Sequence, residues 1–60
     1  MVVKVETLRV GDVIKASWLG DGWHRIFSIT ECGFDSRKMH MTIEGFTDCD
    51  IYKDTEVELK

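Results

Sequence analysis

Two imidazoles and two thiols are the groups in this chain best suited to chemistry. His24, Cys32, His40 and Cys49 supply the nitrogen and sulfur donors that a tetrahedral zinc takes. Their spacings of 8, 8 and 9 residues lack the close Cys-x-x-Cys knuckle of a zinc site. The pattern therefore implies no metal, no other group implies a cofactor, and both histidines read as exposed strand residues. Glu56 and Glu58 lie two apart on one strand face, which is how a solvated strand looks. No Gly-x-Ser-x-Gly elbow or phosphate-cradling glycine loop accompanies the serines. Catalysis needs a nucleophile with a base, or paired carboxylates around a pocket, and a chain this short offers little concave volume. The expectation is a protein with no catalytic residues, not an enzyme.

The elements that position these side chains must fit into one domain spanning residues 1–60. A chain of this length buries only ~60% of the surface its unfolded form exposes, so its core is small. The composition is that of a folded protein: 43% hydrophobic, 32% charged, five glycines and no proline. Eight Lys and Arg against eleven Asp and Glu leave a net charge of −3, which disfavours nucleic acid as a partner. Met1-Val2-Val3 is broken by Lys4 and cannot form a signal-peptide core, and no run approaches a membrane span. These features predict a cytoplasmic protein whose Cys32 and Cys49 are reduced thiols.

Short runs of alternating apolar and polar residues, separated by Gly and Asp clusters, predict five strands. They cover Val2 to Val5, Val13 to Trp18, Trp23 to Thr30, Lys38 to Glu44 and Thr55 to Leu59. Leu19-Gly20-Asp21-Gly22 supplies positive-φ positions for a hairpin turn between the second and third. The third strand carries apolar residues on both faces, as a long central strand would. Ile51 to Thr55 reads as a connector able to form one 3₁₀ turn. Five such strands hide their edges best by closing into a small barrel. A flatter antiparallel sheet burying one face in a homodimer is the rival arrangement, so monomer and homodimer both stay open.

The aromatic residues Trp18, Trp23, Phe27, Phe34, Phe46 and Tyr52 are many for so small a core. Phe27 and at least one tryptophan are expected inside, where nothing else on those strands fills comparable volume. Trp18 at a strand end and Phe46 in a loop are placed to project from the rim.

Val10-Gly11-Asp12, Ala16, Trp18, Asp21-Gly22, Trp23-His24-Arg25-Ile26 and Ile29, followed by Gly45-Phe46-Thr47-Asp48, resemble Tudor domains and, more broadly, SH3-like barrels. The resemblance runs from about Val10 to Leu59. It implies a five-stranded SH3-like barrel and an aromatic cage for methylated lysine or arginine, formed by Trp18, His24, Ile43, Phe46 and Asp48. His24 stands where the family usually has Tyr, Ile43 where another ring is usual, and Asp48 in place of Asn. Trp18 and Phe46 are then the cage's firm walls.

These readings converge on a non-enzymatic module that binds a protein or peptide through Trp18, His24, Phe46, Asp48 and Tyr52. An alternative is a nucleic-acid-binding barrel in which Trp23 or Phe34 stacks on bases while Lys4, Arg9, Lys15, Arg25, Arg37 and Lys38 track phosphates. A third reading is a structural or regulatory subunit of a larger assembly, a size that suits a small phage or accessory protein.

Overall fold

Alternation with period two favours extended backbone, and the computed structural model, which describes residues 1–60, is all-β. Six strands form: β1 (Val2–Lys4), β2 (Val13–Lys15), β3 (His24–Glu31), β4 (Lys38–Ile43), β5 (Cys49–Tyr52) and β6 (Glu56–Leu59). They hydrogen-bond in the order β1-β6-β2-β3-β4-β5, every neighbouring pair antiparallel. No helix is long and apolar enough to cross a membrane.

The expected five-stranded closed barrel is corrected on two counts. Cys49–Tyr52 is a strand and not a loop, pairing residue for residue with Met41 back to Lys38. The sheet also stays open, because no ladder joins β5 to β1. β1 stops at Lys4 where Val5–Thr7 tighten into a 3₁₀ turn, fixed by the Thr7 hydroxyl donating to the Lys4 carbonyl at 2.7 Å. Beyond it, the Val5 and Glu6 amides donate to the Thr55 and Lys53 carbonyls at 2.9 and 3.1 Å. The chain after β1 thus packs against the β5–β6 connection without extending either ladder.

β2 ends at Lys15, three residues earlier than alternation suggests, because Ser17–Leu19 form a second 3₁₀ turn closed by the Leu19 amide on the Ala16 carbonyl at 3.0 Å. That turn brings Leu19 into the core at 3% exposure and leaves Trp18 39% exposed. Gly20 and Gly22 follow at φ 78° and 88°, a backbone region that favours glycine, and reverse the chain into β3.

The core is wholly aliphatic, built from Val5, Leu8, Ile14, Leu19, Ile26, Met41, Ile43 and Val57. The expectation of Phe27 and a tryptophan inside is therefore overturned: the six aromatic side chains range from 38% exposed at Trp23 to fully exposed at Phe34. A bulge in β3 is the cause for Phe27. Ile26 pairs with Ile43, but the next pair is Ser28 with Thr42, so Phe27 has no partner across the ladder. One extra residue reverses the parity of the strand. Ile26 and Ile29 both turn toward the core, while Phe27 is 52% exposed.

Replacing the fully buried Ile26 by Ala should cost about 2–5 kcal/mol, a large part of the stability of a domain this small. Phe27→Ala should cost under about 1 kcal/mol, the range of surface changes. Urea unfolding of the two variants checks the contrast.

Candidate functional site

Extended backbone carries Asp50, Ile51 and Tyr52 along β5, and the second 3₁₀ turn presents Trp18. Trp18, these three residues and Thr55 line a shallow cleft of ≈ 220 Å³. Consecutive residues of a strand point to opposite faces, so a cleft that includes three in a row runs along the strand's edge. The Tyr52 ring is held by its own chain's cations, with the Lys38 ammonium 4.8 Å and the Arg37 guanidinium 5.7 Å from its centroid. Arg37 is in turn gripped by Asp35 through contacts of 3.0 and 2.9 Å. The Arg37 side chain and backbone N–H lower the Asp35 carboxyl to about 2.

Beside the cleft, His40 is clamped between two carboxylates. Its Cα partner across β4–β5 is Asp50, whose Oδ1 lies 2.8 Å from His40 Nδ1. Asp48 Oδ2 lies 3.3 Å from His40 Nε2, and the Thr42 hydroxyl donates to Asp48 Oδ1 at 2.8 Å. Both ring nitrogens can donate only when the imidazole is charged. The hydrogen bond to Asp50 accordingly raises the His40 pKa above its ordinary 6.5, with Asp48 adding to it. The Thr42 hydroxyl and the imidazolium lower the Asp48 carboxyl.

The residues singled out from sequence fall into three groups. Trp18 and Tyr52 share the cleft. His24 and Phe46 form a separate edge-to-face pair, 5.2 Å between centroids and 73° between planes, with His24 Nε2 3.2 Å from the Asp21 carbonyl. Asp48 belongs to the His40 clamp. Ile43, a cage wall in the Tudor-like reading, is fully buried in the core because it lies on the inner face of β4.

No family model, curated protein or solved structure matches the chain.

Asp50, Ile51 and Thr55 were not among the sequence candidates, and His40 was weighed there only as a metal donor. Asp50 and Tyr52, two apart, would have announced themselves as same-face neighbours had Cys49–Tyr52 been legible as a strand. The thiols of Cys32 and Cys49 are free. Burial, then Asp50 and Asp48, push the Cys49 thiol up, so it stays protonated and weakly nucleophilic at neutral pH. No three His, Cys, Asp or Glu side chains converge to hold a metal. What the cleft does offer is two exposed rings, an aliphatic floor and a carboxylate, the elements of a binding surface.

Because the folded pKa of His40 is raised, its stabilising contribution is complete below about pH 6.5 and is lost as pH rises through the folded value. Asp48 works in the opposite direction: its contribution is present above about pH 3.8 and is lost as pH falls through its lowered folded value. Urea midpoints should therefore fall on the alkaline side of the His40 titration in the parent protein. In His40→Gln that alkaline decline should flatten, and the same midpoint series measures it.

Proposed function

We propose that the chain is a small, non-enzymatic binding module of SH3-like, Tudor-like type, in an open-sheet form, that engages a protein or peptide partner through the Trp18–Tyr52 cleft. The observation that carries this reading is the division of side chains. An aliphatic core closes without aromatic help, and every ring is left at the surface. Burying exposed aromatic area is the largest gain such a small surface can draw on, and aromatic residues dominate the energetics of protein interfaces. Trp18 and Tyr52 are the pair that share a concave surface, which Ile51 and Asp50 also line.

The remaining rings suit this role less. Trp23 is flanked by the Lys15 and Lys60 ammoniums at 5.9 and 5.8 Å. That arrangement is the one feature favouring a nucleic-acid reading, in which the indole stacks and the lysines meet phosphates. Against it stands the net charge of −3, which repels a polyanion as a whole.

Trp18→Ala should weaken capture of a partner from host lysate by about tenfold or more, the loss expected of an aromatic anchor. Its circular dichroism should remain that of the folded protein, since Trp18 lies outside the core. Capture that survives the loss of both Trp18 and Tyr52 places the site elsewhere.

A further inference from the structure

The two edges of the open sheet differ in how they are guarded. β1 is three residues long, and Lys4 marks its end with a charge. β5 has neither Lys nor Pro, and its ladder with β4 shows no bulge. Short length, charged side chains, proline and bulges are the devices that keep a strand edge from pairing with another chain, and of these β5 has its four-residue length and Asp50.

The hydrogen-bond pattern fixes which backbone groups of β5 are free. The Lys53 amide donates to the Arg37 carbonyl at 2.8 Å, and the Cys32 amide donates to the Lys38 carbonyl at 3.2 Å. Arg37 therefore faces the β5 side and Lys38 the β3 side. In antiparallel ladders this direction alternates along the strand. Met39 and Met41 then bond to their partners Ile51 and Cys49, while Asp50 and Tyr52 turn their backbone groups away from β4. The Tyr52 carbonyl is taken by the Thr55 amide at 3.1 Å. The Asp50 N–H, the Asp50 carbonyl and the Tyr52 N–H remain, along the edge where Trp18 lines the cleft.

We infer that the partner of this cleft is an extended chain segment that adds to β5 as a further strand, alternating basic and apolar side chains. The inference rests on the cleft reading and names its ligand's chemistry. Backbone pairing supplies affinity, and the side chains flanking the edge supply selection. A residue opposite Asp50 projects to the Asp50 face, where Asp48 also lies near and Asp50 Oδ2 is left over from the His40 contact. A basic side chain complements it. The next residue, opposite Ile51, projects to the face that Ile51 turns to the core, where an apolar side chain fits. Of the cations at the far end of the strand, Arg37 and Lys53 are already paired with Asp35 and Glu31, and the Lys38 ammonium lies over the Tyr52 ring, so the preference for a basic side chain belongs to the position opposite Asp50.

The probe is the blocked hexapeptide Ac-Lys-Val-Lys-Val-Lys-Val-NH2, titrated into the isotopically labelled full chain and followed by NMR. The Asp50 and Tyr52 amides should shift most and slow in hydrogen exchange, and the Trp18 and Tyr52 ring signals should move with them. An analogue N-methylated at all three lysines loses every amide that faces the edge when a lysine stands opposite Asp50, and should bind about tenfold or more weakly. If that analogue binds as well as the parent peptide while the rings still respond, strand addition is wrong and the cleft reading stands. If neither rings nor amides respond at millimolar peptide, both are wrong. If the same amides shift with protein concentration alone, the edge pairs copies of this chain, which overturns the assignment of a foreign segment.

Discussion

Phe27 has no partner across the β3–β4 ladder, and much of the architecture follows from that one unmatched residue. Before it, β3 pairs with β2 through His24 and Arg25 and already meets β4 at Ile26 and Ile43; after it, β3 pairs with β4 alone through Ser28 to Glu31. A bulge bends the strand and increases its local twist, so the two halves of the sheet can face a common interior. The parity change points Ile26 and Ile29 at that interior from the two halves. Without it, a regular strand would direct one of these side chains to solvent, and β4 would cross with Met41 and Ile43 facing a different neighbour set.

The fold was legible where a strand has one wet face. In β4, Met39, Met41 and Ile43 alternate with His40 and Thr42; in β6, Val57 and Leu59 alternate with Glu56 and Glu58. Both are strands as expected, with the even-numbered carboxylates of β6 exposed. It was not legible at Ser17–Leu19, where Ile14, Ala16 and Trp18 continue the alternation by type while the backbone leaves it. Local 3₁₀ hydrogen bonding won there because it buries Leu19. Cys49–Tyr52 was missed for a different reason. Its flanking Asp and Gly residues carry strong loop preference, and only the ladder with β4 overrides it.

The site was half legible. Ring count against core volume singled out Trp18, Phe46 and Tyr52; Trp18 and Tyr52 share a cleft, while Phe46 pairs with His24 elsewhere. The resemblance grouped Trp18 with His24, Phe46 and Asp48, which the fold distributes over separate clusters. Asp50 and His40, a directly opposed cross-strand pair, could not be found without the register of β5. Register is a long-range property, and a one-residue slip of β5 would have put Asp50 on the opposite face from His40.

The aliphatic interior has an optical consequence. Both indoles are more than a third exposed in the native state, and the single tyrosine nearly half. Intrinsic fluorescence thus starts from a partly solvent-influenced environment, and its change on unfolding is smaller than for indoles enclosed in a core. The same rings stand where a bound molecule would displace water from them. In this protein the natural chromophores report on what touches the surface, and the integrity of the fold is better followed through the backbone amides.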